Sequence, residues 1–173
     1  RLDAFGFAAK DTSFPAFPKG FEKNFMQYYA MGPHLHDYLK EMNKEVFSKY
    51  NVMTVAEGTG NTMEDAHGMV DEDRQELNMA YPFEWVDIAR PEGYSILHLK
   101  QVFTKWDSAF ADKGWMAVFL ANHDQARMVS RFGNDKPAFR ELSSKMLNTF
   151  ILSMRGTPYC YLGDELGMSN AYF

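Results

Sequence analysis

The sequence is short of cysteine, of clustered basic residues and of long apolar runs, and each shortage removes a class of protein. Cys160 is the only cysteine among the 173 residues, so an internal disulfide and a cysteine-rich metal site are both excluded. A lone thiol of this kind is expected to be buried and inert. The formal net charge is −5 and the basic residues are scattered, so no Lys/Arg stripe is present to neutralise a phosphate backbone, which argues against nucleic acid as a partner. No apolar run approaches the roughly 18 residues needed to cross a bilayer, so no membrane span is expected. The chain opens on strand-like residues and reads as cut at its start. A signal peptide, the compartment and the oligomeric state are therefore left open.

The residues that are present describe a globular interior. With 46% hydrophobic and 16% aromatic content, the composition is that of a packed core rather than a disordered chain. Aromatic rings in such number can line a groove where they stack on sugars, although most are expected to fill the core. Repeats, low-complexity tracts and domain linkers are missing, which points to one domain, incomplete.

Hydrophobic spacing gives the order of elements. A first strand covers Arg1 to Phe5, and a long connection follows with Pro15, Pro18 and Gly20. Pro33 opens a helix with Leu35, Leu39, Met42 and Val46 on one face, ending near Tyr50. Residues 51 to 56 read as a buried strand and the stretch from Gly58 to Asn61 as loop, while Met63 to His67 suits a short helical turn and Leu77 to Trp85 a third strand. Ser95 can cap a helix carrying Leu99, Val102, Phe103, Trp106 and Phe110, with Gly114 placed to terminate it. A fourth strand spans Trp115 to Ala121. Asp135 and Pro137 start a helix with Leu142, Met146 and Phe150 on one face, and Gly156 leads into a strand from Thr157 to Leu162. Alternation of this kind predicts an α/β fold with parallel strands, either an open doubly wound sheet or part of a (β/α)₈ barrel.

Asp3, Glu57 and Asp124 each stand at the carboxyl end of a strand-like run, where barrel enzymes build their sites. Arg1 and Asp3 are two apart and point to the same side of a strand, so the guanidinium can hold Asp3 ionised and oriented, as a nucleophile requires. Glu57 follows mainly apolar residues, a setting that keeps a proton available for a leaving oxygen. His123 beside Asp124 offers a ring donor and a third carboxylate, suited to sugar hydroxyls and to positive charge developing at a sugar carbon. Taken singly, each reads better as an ion pair, a loop anchor or a turn cap. Three at strand ends, with an arginine and a histidine adjacent, reverse that preference.

Other candidates are weaker. His34 and His36 cannot share one helix face for a metal and read as solvated residues. The Gly58-x-Gly60 spacing is too short for a phosphate loop. Arg127 and Arg131 divide evenly between reaching a sugar and tying down a loop, while Asp164 and Glu165 suit a cap or loop role better than a place at the barrel mouth.

Arg1 to Ala4, Thr54 to Glu57 and Asn122 to Asp124, the last followed by the run from Gln125 to Asp135, resemble three short signature regions of the α-amylase family, glycoside hydrolase family 13. The likeness is greatest to its α-glucosidase, oligo-1,6-glucosidase and trehalose-converting members, and Gly156 to Asn170 resembles their eighth strand and the loop after it. The resemblance implies part of a (β/α)₈ TIM barrel, strands four to eight with their helices. The earlier strands, with a short region supplying an Asp and a His, would precede Arg1, and a β-sandwich would follow the barrel. Five such strands alone would leave unpaired edges and an uncovered apolar interior, favouring aggregation.

The resemblance further implies a retaining mechanism in which Asp3 is the nucleophile, Glu57 the acid/base and Asp124 the transition-state stabiliser, with Arg1 and His123 binding substrate. Its retaining geometry places the Asp3 and Glu57 carboxyl groups about 5 to 5.5 Å apart, against about 9 Å for inversion. The implied substrate is a short α-glucoside oligosaccharide and no cofactor is implied, although a structural calcium elsewhere in a full chain fits the family. Ala4 stands where maltase-like members often carry a small residue and α-1,6-cleaving members often carry valine, which favours α-1,4 bonds. Many members have glycine before the acid/base and Met-Pro-Gly after it. Here Ala56 precedes Glu57 and Gly58, Thr59 and Gly60 follow, changing the wall beside the scissile bond. Two alternatives stand beside the hydrolase: a transglucosylase or isomerase of the same family, and a non-catalytic binding ectodomain, a class that tends to lose the catalytic carboxylates.

Overall fold

Strand pairing in the computed structural model is parallel wherever it is described. The description covers residues 1–16, 18–20, 28–58, 62–87 and 95–171. Two units emerge, Arg1–Pro82 with Ala109–Met116, and Phe83–Ser108 with Ala117–Phe173. Part of the connection after Gly20 and residues 59–61 of the loop after Glu57 lie outside the described residues.

In the first unit, Leu2 pairs with Ala56, β1 (Val55–Ala56) pairs with β2 (Met79–Ala80), and Ala80 pairs with Met116. Side chains pin this register. Asn78 Oδ1 accepts the Thr54 N–H at 2.8 Å and the Thr54 hydroxyl at 2.9 Å, and the Asn78 N–H donates to Thr54 Oγ1 at 3.0 Å. Val52 instead turns its N–H back to Tyr50, so Val52 and Met53 stay exposed and the expected strand shortens to its last residues. β2 is shorter than expected because Pro82 has no N–H to continue a ladder, and Trp85 falls on a single-turn helix, Glu84–Asp87.

Helix α1 (Leu35–Glu45) buries Leu35 and Leu39, whereas Val46 lies beyond it and is exposed. Helix α2 (Met63–Val70) starts with a capping box: the Thr62 hydroxyl accepts the Asp65 N–H at 3.1 Å, and Asp65 accepts the Thr62 N–H at 2.9 Å. After α2, the Glu76 carboxylate is buried and shared. His36 Nδ1 lies 2.7 Å from Oε2 and Arg74 Nε donates to Oε1 at 2.9 Å, while Asn43 donates to the Glu76 carbonyl at 2.9 Å. His36 is therefore not a solvated residue: a contact forty positions away holds it, which helical spacing could not show. His34, as expected, sits in solvent beside Asp37.

The second unit holds α3 (Glu84–Asp87), α4 (Ile96–Ala109), β3 (Ala117–Val118), α5 (Met128–Phe132), α6 (Arg140–Ser153) and β4 (Thr157–Pro158), with β3 and β4 paired in parallel. Ser95 caps α4, its hydroxyl accepting the His98 N–H at 3.4 Å, and Leu99, Val102, Phe103 and Trp106 are buried as their spacing predicts. The Trp85 and Phe103 rings stack at 4.2 Å. Gly114, in the first unit, has φ +81°, and a Cβ there would meet Val70 Cγ2 at 3.0 Å; it follows α4 by a turn rather than ending the helix.

Three expectations about the second unit are corrected. α6 turns Ser144, Leu147 and Ile151 inward and leaves Leu142 and Met146 exposed. Both sets have helical spacing, and the choice comes from outside the helix, where Ser144 Oγ and Asn148 Nδ2 donate to the Asp164 carbonyl at 3.2 and 3.1 Å. Asp135 does not start the helix but accepts the Ser130 hydroxyl at 2.7 Å. Cys160 is exposed rather than buried, because the chain leaves the ladder after Tyr159, whose N–H donates to Val118. Among the described residues, no helix is long and apolar enough to cross a membrane.

The Glu76 cluster gives a direct test. Glu76→Gln in the whole protein should lower stability by about 1.5–3 kcal/mol, since it weakens two charge-assisted contacts to a buried acceptor. Urea unfolding measures this, and a change below about 0.5 kcal/mol would show that the cluster contributes nothing.

Candidate active site

The parallel bridge between Leu2 and Ala56 sets the site of the first unit. The Leu2 N–H donates to the Val55 carbonyl at 2.9 Å, and the Glu57 N–H donates to the Leu2 carbonyl at 2.9 Å. Asp3 and Glu57 are thus the residues that follow a paired position, one step along two adjacent strands. Arg1 lies between their charges: Nε donates to Asp3 Oδ1, and Nη2 stands 3.6 Å from Glu57 Oε1. The two carboxylates differ in setting. The Asp3 side chain is 64% exposed and the Glu57 side chain 8%.

Charge keeps the arginine fixed. Its hydrogen bond to Asp3 raises the Arg1 pKa above its ordinary value; burial opposes the rise, and the charges of Glu57, Asp3 and Tyr81 reinforce it. Tyr81 was missed in the sequence. Its predecessor Ala80 pairs with Ala56, and its N–H donates to the Ala56 carbonyl at 3.0 Å, so Tyr81 reaches the same level as Glu57. The available signal was its place at the end of the third apolar run, immediately before Pro82.

The chain after Asp3 folds back onto Glu57. Ala4 takes a left-handed backbone, φ 46° and ψ 31°, its N–H donates to Glu57 Oε2 at 3.2 Å, and the Phe5 N–H donates to the Glu57 carbonyl at 3.2 Å. Glu57 therefore anchors a loop as well as presenting a carboxyl. No sequence pattern marks Ala4 for a conformation that usually falls to glycine or asparagine.

In the second unit, buried Phe119, Leu120 and Ala121 lead from β3 to a tight turn. Asn122 Oδ1 accepts the Asp124 N–H at 2.9 Å, and the Asn122 carbonyl accepts the Gln125 N–H at 3.3 Å. Asn122, an ordinary turn former, is therefore the cap, and Asp124 is not. His123 Nε2 lies 3.1 Å from Asp124 Oδ2, with both side chains largely exposed. The first unit thus brings together Arg1, Asp3 and Glu57, and the second His123 and Asp124.

The catalytic domain of the α-amylase family matches residues 1–172. The chain belongs to the α-amylase family. It is 40% identical over 183 residues to the oligo-1,6-glucosidase of Heyndrickxia coagulans, covering 99% of this chain and 33% of that protein. It is also 40% identical to the trehalose-6-phosphate hydrolase of Bacillus subtilis strain 168, over 100% of this chain and 32% of that one. Among solved structures, the isomaltulose synthase of Klebsiella sp. LX3 matches with a TM-score of 0.94 at 38% identity, over 99% of this chain and 32% of that chain. The chain spans about a third of the length of these relatives, and it forms part of a (β/α)₈ barrel domain.

The loop after β4 shows how the remaining candidates of this α-amylase-family chain are used. Arg127 donates to the Leu162 carbonyl, its guanidinium stands 5.0 Å from the Tyr161 ring centre, and its N–H donates to Asn170 Oδ1 at 2.9 Å, so it ties the loop. The guanidinium of Arg131 lies 5.2 Å from the Phe132 ring centre. Glu165 accepts the Gly163 N–H at 2.8 Å. Asp164 is buried, with Oδ2 accepting the Tyr161 N–H at 3.0 Å and Oδ1 without a hydrogen-bond partner among the described residues.

Burial pushes the Asp164 carboxyl up; the Tyr161 N–H and Arg127 oppose the rise and Glu165 adds to it. With its folded value above its unfolded one, Asp164 contributes stability that is present below the unfolded value and lost as pH rises through the folded value. Asp164→Asn keeps an acceptor for Tyr161, so it should remove that loss, and thermal unfolding from pH 4 to 7 should show a flatter slope than in the wild type. An unchanged slope contradicts the assignment.

Partial burial raises the Cys160 thiol, as do the charges of Asp164 and Glu165. Exposed as it is, Cys160 should be alkylated with a pH midpoint above that of a free thiol. Iodoacetamide labelling followed by mass spectrometry tests this, and a midpoint at or below the free-thiol value would refute it.

Proposed function

We propose that this chain carries the reacting groups of a retaining glycosidase that cleaves α-glucosidic bonds of short oligosaccharides and releases glucose. The observation that carries the reading is the level shared by Asp3 and Glu57 on adjacent parallel strands, joined by Arg1. Asp3, open and ion-paired, suits attack on the anomeric carbon, and Glu57, enclosed, suits proton transfer to the leaving oxygen. In the first step an Asp3 oxygen bonds to the anomeric carbon while the glycosidic bond breaks and the Glu57 proton passes to the departing oxygen. In the second, Glu57 takes a proton from water as the water oxygen displaces Asp3. Two carboxyl groups and water complete the reaction without a cofactor. The family resemblance gives Asp124 the role of transition-state stabiliser and gives Arg1 and His123 the binding of substrate. On this reading the strands are the fourth to eighth of the barrel.

Ala4 supports an α-1,4 preference, whereas the kinship with proteins named oligo-1,6-glucosidase supports α-1,6. The likeness to an isomaltulose synthase favours a second reading, in which a sugar replaces water at the covalent intermediate.

In the whole enzyme, Asp3→Asn should lower the hydrolysis rate by about 10⁴-fold or more, and proton NMR of the wild-type reaction should show α-glucose formed first. Initial β-glucose would refute retention. Initial rates on maltose and isomaltose decide linkage, and sucrose products decide between readings: glucose and fructose for hydrolysis, an isomer of sucrose for transfer.

A further inference from the structure

Ala4 directly follows Asp3 and holds a left-handed backbone that a residue with a Cβ adopts when its surroundings keep it there. Those surroundings are visible. The Ala4 carbonyl accepts the Phe7 N–H at 3.1 Å, in the 3₁₀ turn Phe5–Phe7, and the Phe5 N–H is taken by the Glu57 carbonyl at 3.2 Å. Held in this way, the Ala4 N–H donates to Glu57 Oε2 at 3.2 Å. The other oxygen, Oε1, has Arg1 Nη2 at 3.6 Å, beyond ordinary hydrogen-bonding reach.

A carboxyl group that both gives and takes a proton must present one chosen oxygen to its substrate. An N–H fixed on Oε2 makes Oε2 the acceptor, stops rotation of the carboxyl plane and leaves Oε1 for the proton. We propose that the Ala4 backbone N–H is the positioning group of the acid/base, fixing Glu57 so that Oε1 transfers the proton in both steps. The proposal rests on the reading of Glu57 as acid/base. In the first step the proton moves from Oε1 to the glycosidic oxygen as its bond to the anomeric carbon breaks. In the second, Oε1 accepts a proton from the attacking water as the bond to Asp3 breaks. The left-handed turn thus links the two carboxylates, since the residue that leaves Asp3 is the one that orients Glu57.

Replacing Ala4 by lactic acid in the whole enzyme tests this, because the ester keeps the methyl group and puts an oxygen, which cannot donate, in place of the N–H. Two substrates separate positioning from general damage. A disaccharide needs a proton on its leaving oxygen and α-glucosyl fluoride does not, and kcat/KM reports only the steps through glycosylation. With the better of maltose and isomaltose, kcat/KM should fall about 10- to 100-fold, the range expected for one charge-assisted hydrogen bond. With the fluoride it should change less than about threefold. An equal fall on both substrates, or no fall on the disaccharide, overturns the proposal.

A second measurement does not depend on how the ester variant folds. In enzyme labelled with ¹⁵N-alanine, the Ala4 amide signal, identified by its loss in Ala4→Gly, should move upfield in Glu57→Ala, which removes the acceptor oxygen altogether. An unmoved signal overturns the proposal. Glu57→Gln separates the two claims. If it hydrolyses the disaccharide as the wild type does, the acid/base reading itself falls. If it loses the disaccharide and keeps the fluoride while the ester variant loses neither, only the role of Ala4 falls.

Discussion

The pairing of Leu2 with Ala56 is the constraint on which the first unit depends. Parallel strands bring residues at their carboxyl ends to one level only if the register is correct, and a shift by one residue would turn every side chain to the opposite face. Thr54 and Asn78 fix the register of the next pair, β1 with β2, through three short hydrogen bonds. Asp3, Glu57 and Tyr81 each follow a member of the ladder, so three polar groups collect where the ladder ends.

Two identical functional groups then stand in different electrostatic settings. Arg1 hydrogen-bonds Asp3 in the open and faces an enclosed Glu57 at longer range. Asp3 takes a hydrogen bond from a guanidinium at the surface, whereas the enclosed Glu57 takes one from a backbone N–H. That N–H belongs to a left-handed alanine.

Much of this was legible along the chain. The alternation of strands and helices follows from local period, and Leu99, Val102, Phe103 and Trp106 face inward as their spacing requires. Asp3, Glu57 and Asp124 stood out because each ends an apolar run. The misreadings share a cause. Leu142 and Met146 repeat at the same interval as Leu147 and Ile151, and only the hydrogen bonds from Ser144 and Asn148 to the Asp164 carbonyl choose between the two faces. His36 read as a surface residue until Glu76 came beside it. Cys160 read as buried because a lone thiol usually is, whereas the chain leaves the ladder after Tyr159.

The sequence alone determined where the longer helices lie, which runs end in a carboxylate and which family signatures they carry, because these depend on neighbours a few residues apart. Tertiary structure decided how long each strand is, which helix face is buried, that Arg1 serves two carboxylates, and that Ala4 turns left-handed to reach Glu57. The physical reason is common to all four. Each is set by a hydrogen bond or ion pair to a residue distant in the chain, and a local pattern of side chains holds no record of such a partner.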